Sequence, residues 1–292
     1  MTVAIYSRQC NPKDIDTIRN LFSLLEKNNI SIVVFESYLN ELESRINLPN
    51  NISSFHHHSQ LKNKVDCVIS LGGDGTLLDT IALVRDSNIP ILGINIGRLG
   101  FLASIGKDEI EEALVCLKNN SFVADKRSLL SLQTNKPLFG EVPFALNEFT
   151  IHKKDSSSMI RIHTYVNGEF LTSYWADGLI VSTPTGSTGY SLAAGGPILV
   201  PTTSSFVISP IAQHNLNVRP IVISDESVIS FEVEGRSDTF LCTLDSRYEI
   251  IDNTFQLAVK KADFNISLVR LSGRSFLSTL TKKLNWGVDN RN

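Results

Sequence analysis

Hydrophobic positions fall into two rhythms along this chain. From residue 2 to about 119, short β-branched runs alternate with stretches of helical spacing. TVAIYS (2–7) reads as a strand, residues 12–28 set Ile15, Ile18, Phe22 and Leu25 at helical intervals, and SIVVFES (31–37) reads as a second strand. VDCVISL (65–71) is apolar almost throughout, as a parallel strand covered on both faces should be. A helix is predicted over 76–86 and a strand over PILGINI (90–96). An amphipathic helix follows over 107–119, with Ile110, Ala113, Leu114 and Leu117 on one face. The alternation predicts an open, Rossmann-like α/β domain over 1–122, with its ligand at the carboxyl ends of the strands.

After residue 123 the period shortens. MIRIHTYV (159–166), Asn167-Gly168 and EFLTSYW (169–175) form the strongest hairpin signal, because Asn-Gly suits a type I′ turn. VISFEVEG, TFLCTLD, FQLAVKKA and FNISLVRL continue as short strands, so a β-rich, sandwich-like domain is expected over 123–270. SFLSTLTKKLNW (275–286) reads as a helix. The C-terminal segment, 271–292, is expected to pack back onto the first domain.

Composition narrows the class. With 292 residues, 42% of them hydrophobic and 20% charged, the chain suits two globular domains rather than a disordered one. A net charge of −3 gives no basic footprint for nucleic acid. Cys10, Cys67, Cys116 and Cys242 are far apart and read as reduced thiols. MTVAIYSRQC is too short and polar a start for a signal peptide, and no apolar run reaches membrane-spanning length. The expectation is a cytoplasmic protein with neither nucleic-acid nor membrane partners.

Three stretches suggest chemistry. SLGGDGTLLD (70–79) sets Asp74 among Gly72, Gly73 and Gly75, directly after an apolar strand and before a helix beginning near Thr76. Glycines let a backbone approach a ligand closely, and a helix N-terminus favours an anion. A carboxylate there repels phosphate unless it holds a metal or takes a proton from an attacking hydroxyl. The plainer reading is a tight turn with Asp74 as a cap. The stretch is neither a Walker A loop nor G-x-G-x-x-G. ADGLIVSTPTGSTGYSLAAGGP (176–197) brings glycines and hydroxyls together between two core-like tracts, as a ligand loop would. LNEF (146–149) places Asn147 and Glu148 in an apolar setting, where they either satisfy each other or read a sugar and a base edge. His56, His57 and His58 read as a solvated loop rather than a metal site, and His214 as a structural histidine.

GGDGT (72–76), NE (147–148) and DGLIVSTPTGSTGYSLAAGGP (177–197), in this order, resemble the NAD kinase family. The resemblance implies transfer of the γ-phosphoryl of ATP, or of polyphosphate in some members, to the adenosine 2′-hydroxyl of NAD. It implies that Asp74 acts as general base or orients that hydroxyl. Gly72, Gly73, Gly75 and Thr76 would hold phosphate oxygens. Asn147 and Glu148 would contact the adenine and its ribose, and Asp177 the nicotinamide side. Gly75, Thr185, Thr188, Gly189, Tyr190 and Ser191 would line the NAD site. A divalent cation, Mg²⁺, would be carried by the ATP phosphates with no protein ligand assigned, and the assembly would be a homodimer or homotetramer. Many bacterial relatives have a basic residue where this chain has Trp175. A lipid kinase sharing the GGDGT loop, or a non-catalytic NAD(H) sensor, are the alternatives.

Overall fold

The computed structural model describes residues 1–49, 52–97, 100–154 and 158–287. The chain divides into two units, one of Met1–Lys126 with Ile266–Asn292 and one of Arg127–Asn265.

The first unit runs β1 (Thr2–Tyr6), α1 (Ile15–Lys27), β2 (Ser31–Phe35), α2 (Glu36–Glu43), β3 (Ser53–Phe55), β4 (Cys67–Leu71), α3 (Asp74–Val84), β5 (Ile91–Asn95), β6 (Ile105–Gly106) and α4 (Ile110–Lys118). Its strands pair in parallel in the order β3-β2-β1-β4-β5. β4 and β5 are buried along their whole length, which is why their sequences show no polar alternation. The strand order reverses between β1 and β4, so the crevice at the carboxyl ends of these two strands is the place such a sheet offers a ligand.

Several element boundaries differ from the sequence expectation, each for a local reason. The strand expected to Ser37 stops at Phe35, and α2 starts at once; Tyr38 and Leu42, four apart, put one face of it into the core. Pro12 opens a single 3-10 turn before α1, and Asn29, at φ 54°, ends that helix with a left-handed cap. α3 begins at Asp74 rather than Thr76, with Gly73 as its N-cap.

The second unit holds most of β7 (Val123–Thr134), then β8 (Phe144–Ala145), β9 (Glu148–Lys153), β10 (Ile160–Val166), β11 (Glu169–Ala176), β12 (Gly178–Ser182), α5 (Tyr190–Ala193), β13 (Ser205–Ile211), β14 (Ile221–Ser224), β15 (Ile229–Glu234), β16 (Thr239–Leu244) and β17 (Arg247–Asp252). β18 (Leu257–Arg270) begins in this unit and ends in the first, where α6 (Phe276–Leu284) follows. One antiparallel sheet orders as β14-β13-β12-β9-β16-β17 and a second contains β11-β10-β15-β18. Phe149, Ile151, Val181, Phe206 and Phe240 of the first sheet share one core with Ile162, Tyr174, Phe231 and Val259 of the second, which makes the unit a sandwich. Asn167 and Gly168 both take positive φ, 53° and 82°, as a type I′ turn requires.

In the C-terminal segment, Leu280 is buried, and Arg274 pairs with Glu109 and donates to the Ser104 carbonyl. Residues 288–292 of the expected 271–292 segment lie outside the described residues. Among the described residues no helix is long and apolar enough to cross a membrane. Cys10, Cys67, Cys116 and Cys242 are all free thiols.

Candidate active site

The crevice predicted by the strand order contains a cavity of about 350 Å³ in the first unit. It is lined by Ser7, Arg8, Asn11 and Lys13 after β1, by Gly72, Gly73, Gly75 and Thr76 after β4, and by Asn95 at the end of β5 and Gly97 beyond it. The glycines have different reasons. A Cβ on Gly72 would stand 2.4 Å from Thr76 Oγ1, so that glycine is required by the turn itself. A Cβ on Gly73 would meet nothing within 4 Å, so the space above it is open to a ligand. A Cβ on Gly75 would sit 3.2 Å from Nη1 of Arg8.

Asp74 does not cap its own helix. Its Oδ2 accepts the N–H of Phe101 at 2.8 Å, and its Oδ1 accepts those of Leu102 and Ala103 at 3.1 and 3.0 Å. Gly100 packs on the carboxylate so closely that a Cβ there would lie 1.9 Å from Oδ1. Three N–H donors fix the orientation of the carboxylate. A carboxylate offers about four acceptor positions, so among the described residues Oδ2 keeps one lone pair free. Asp74 is therefore fixed in orientation and still able to accept one hydroxyl proton.

In the second unit Asn147 and Glu148 lead into β9, and the TPTGST loop is strapped to them. Asn147 O accepts the N–H of Thr183 at 2.9 Å, and Leu146 O accepts the hydroxyl of Thr183 at 2.5 Å. A Cβ on Gly186 would fall 2.1 Å from Asn147 O, so only glycine lets the loop lie this close. The hydroxyls of the loop are largely used internally. Ser187 bridges Pro184 O and Leu199 N, Thr188 donates to Thr185 O at 3.1 Å, and Ser191, fully buried, bonds Ser209 at 3.0 Å. Thr185 is buried and accepts from Arg127 at 3.3 Å. Of the expected NAD-site residues here, Gly189 and Tyr190 are exposed and Thr188 is half-buried.

Sequence reading missed Asp245. It sits in the β16–β17 turn at φ 52°, and its carboxylate accepts the N–H groups of Leu146, Asn147 and Glu148 at 2.9, 2.8 and 3.2 Å. No motif marks it, because the contact closes a loop of nearly a hundred residues. Glu148 stands beside this charge, and among the described residues its buried Oε2 has no hydrogen-bond partner. Burial, then the Asp245 charge, push the Glu148 carboxyl up to about 8, against the Tyr190 N–H, which lowers it. Burial also raises Asp245, but its three N–H donors and Arg247 oppose that shift, so the proton belongs on Glu148.

This predicts a pH dependence of stability. The folded chain holds the Glu148 proton more tightly than the unfolded chain, whose carboxyl has the ordinary value of 4.5. The stabilisation is complete below that value and is lost as pH rises towards 8. Urea unfolding from pH 5 to 8 should show a decline in the native protein that Glu148→Gln removes. Parallel curves for the two proteins would contradict the assignment.

Asp177 pairs with Lys153 at 2.6 Å and is partly exposed. Trp175 is half-exposed, with its ring 4.8 Å from that of His214, which fits the structural reading of the histidine. His57 caps a 3-10 turn, with Gln60 accepting from the backbone N–H groups of His56 and His57, so two of the three histidines serve a loop cap.

The family model described as the ATP-NAD kinase N-terminal domain matches residues 3–121, and the one described as the ATP-NAD kinase C-terminal domain matches 146–271. This chain belongs to the ATP-NAD kinase family. The NAD kinase of Cytophaga hutchinsonii is 48% identical over 293 residues, and that of Flavobacterium johnsoniae 46% over 295, each alignment spanning 100% of both chains. Among solved structures, yeast NADH kinase complexed with NADH superposes with a TM-score of 0.90 at 21% identity, covering 100% of this chain and 89% of that one. An NAD kinase from Archaeoglobus fulgidus in complex with ATP gives 0.75 at 23%, covering 98% and 99%. At these identities the two structures speak for the fold, and the family assignment rests on the sequence matches.

Proposed function

We propose that the chain transfers the γ-phosphoryl of ATP to the 2′-hydroxyl of the adenosine ribose of NAD, giving NADP. Its activity is that of an NAD kinase, a phosphotransferase. The observation that carries the residue roles is Asp74, locked by three N–H groups at the first residue of α3 yet left with a free lone pair on Oδ2.

Phosphoryl transfer depends chiefly on placing the reactants and balancing charge. In the first unit, the backbone of Gly72, Gly73, Gly75 and Thr76 and the N-terminus of α3 would receive phosphate oxygens. Asp74 would accept the hydroxyl proton or hold the hydroxyl in line for attack. In the second unit, Asn147 and Glu148 would bind the adenine and its ribose, and Asp177 the nicotinamide side. Gly189, Tyr190 and Thr188 would line the dinucleotide, with Thr185 and Ser191 shaping the loop beneath.

A protonated Glu148 offers a donor as well as an acceptor, and its orphaned Oε2 is suited to a ligand hydroxyl. Mg²⁺ carried by ATP would neutralise phosphate charge. Among the described residues no three carboxylate, imidazole or thiol ligands converge around GGDGT, and Asp79 is engaged by Arg8, so a phosphate-borne ion suits this cavity better than a protein-caged one. A cytoplasmic homodimer or homotetramer completes the reading.

A coupled NADP assay with NAD and Mg²⁺, supplying ATP or polyphosphate as donor and NADH as a second acceptor, tests this directly. NADP formed with ATP supports the reading. Binding of NAD without turnover from either donor would favour a sensor, and phosphorylation of diacylglycerol instead of NAD a lipid kinase. On the acceptor side, Asn147→Ala is expected to raise KM for NAD more than for ATP. An equal rise for both substrates would contradict its placement.

A further inference from the structure

The residues assigned so far give the phosphate cavity backbone dipoles and a carboxylate, but no positive charge. Transfer of a phosphoryl group from ATP builds negative charge on oxygens that a fixed cation stabilises. The sequence motifs contain no such cation; the structure supplies Arg8 and Lys13 from the other side of the crevice, and of these Arg8 is held in place by a carboxylate while Lys13 is exposed.

We propose that Arg8 is a donor-phosphate ligand, and that Asp79 is the residue that positions it. This rests on the reading of the first unit's cavity as the ATP phosphate site. Arg8 follows β1, the strand at the switch point, and lines the cavity together with Gly72, Gly73, Gly75 and Thr76. Its guanidinium is clamped from behind: Nε bonds Asp79 Oδ2, and Nη2 bonds Asp79 Oδ1 at 2.8 Å. Asp79 lies on α3 four residues after Gly75, hence on the same helix face. Tyr6 fixes that carboxylate further by donating its hydroxyl to Oδ2 at 3.2 Å.

With Nε and Nη2 engaged, the fork turns Nη1 towards GGDGT, next to Gly75. Nη1 makes no hydrogen bond among the described residues. Gly75 therefore has a second reason to be glycine, since a side chain would crowd the guanidinium. An exposed Arg–Asp pair contributes little to stability by itself, whereas the rigid fork of arginine recognises phosphate in a way a lysine does not. The pair has no net charge, so its value to a phosphate lies in orientation, with the cation in front and the anion behind.

Orientation and charge make opposite predictions for one variant. Asp79→Asn removes a negative charge beside the cavity. If only charge mattered, ATP would bind more tightly; if Asp79 aims Arg8, ATP binds more weakly. The test uses the full chain, with ATP varied at saturating NAD, NAD varied at saturating ATP, and ATP binding measured by calorimetry. Arg8→Gln is expected to raise KM for ATP about ten- to a hundredfold and to lower kcat, leaving KM for NAD within about twofold. Arg8→Lys should recover part of the loss, and Asp79→Asn should raise KM for ATP severalfold.

Unchanged ATP kinetics in Arg8→Gln, equal rises in both KM values, or tighter ATP binding in Asp79→Asn would each overturn the inference. A native protein that binds no ATP would instead overturn the phosphate reading on which it rests. Arg8 is half-exposed and its loss leaves no buried group unpaired, so the variants fold, which thermal melts verify.

Discussion

Asp74→Asn is expected to lower kcat by about 10²–10⁴-fold, the usual contribution of a general base, while NAD still binds. The side chain stays nearly the same size, so the contact with Gly100 survives. What changes is the chemistry at the two oxygens. An amide presents one acceptor atom where the carboxylate presents two, so its NH₂ must face either the Phe101 N–H or those of Leu102 and Ala103. Opposed donors cost about 1–3 kcal/mol, and loop 100–103 should loosen.

The variant thus combines a chemical loss with a local structural one, and separate measurements part them. Calorimetry with NAD reports the acceptor site, kcat reports the chemistry, and amide exchange at Phe101 to Ala103 reports the loop. Near-normal kcat would remove the base role. Lost turnover with intact NAD binding would support it.

The second large effect is expected at a residue that touches no proposed substrate. Asp245→Ala deprives the N–H groups of Leu146, Asn147 and Glu148 of their acceptor at once. Each donor left without a partner costs about 1–3 kcal/mol, so the second unit should lose on the order of 3 kcal/mol or more in urea unfolding. The same change releases the turn that presents Asn147 and Glu148, so KM for NAD should rise steeply.

It also removes the charge beside Glu148, whose carboxyl should then titrate below its value of about 8. Asp245→Asn keeps an oxygen that serves two of the three donors and should fall between. A stable Asp245→Ala protein with unchanged KM for NAD would show that the turn is held by other means.

The fold class, α/β followed by β-rich, was legible in the sequence because it follows from period alone. Fully apolar runs such as residues 67–71 and 91–95 are parallel strands covered on both faces, and alternating runs such as 160–166 are half-exposed antiparallel ones. The α2 helix was hidden because Phe35 and Glu36 continue a β-branched run without any breaker, and only the burial of Tyr38 and Leu42 reveals it.

Within the site, glycine-rich stretches stood out by composition, but the reasons for individual glycines did not. Gly75 is pressed by Arg8, Gly100 by Asp74 and Gly186 by the Asn147 backbone, and each partner lies far along the chain or across a turn. Arg8 and Asp245 escaped for the same reason. A single arginine after a strand and a single aspartate in a hairpin carry no local signature; the first matters because α3 supplies Asp79, the second because three N–H groups converge on it. Ser187 stood among the hydroxyls that composition marked and Ser191 among those the resemblance implied; both are buried, Ser187 bonded to Pro184 within the loop and Ser191 to Ser209 of β13.

The identity of the product decides whether this chain phosphorylates NAD. The purified chain would be incubated with NAD, Mg²⁺ and ATP labelled in its γ-phosphoryl, and the product examined by phosphorus NMR and mass spectrometry. A single new phosphomonoester on the 2′-oxygen of the adenosine ribose, carrying the label, is expected, formed about 10²–10⁴-fold more slowly by Asp74→Asn. Label recovered only as inorganic phosphate, or on any other oxygen of the dinucleotide, would contradict it.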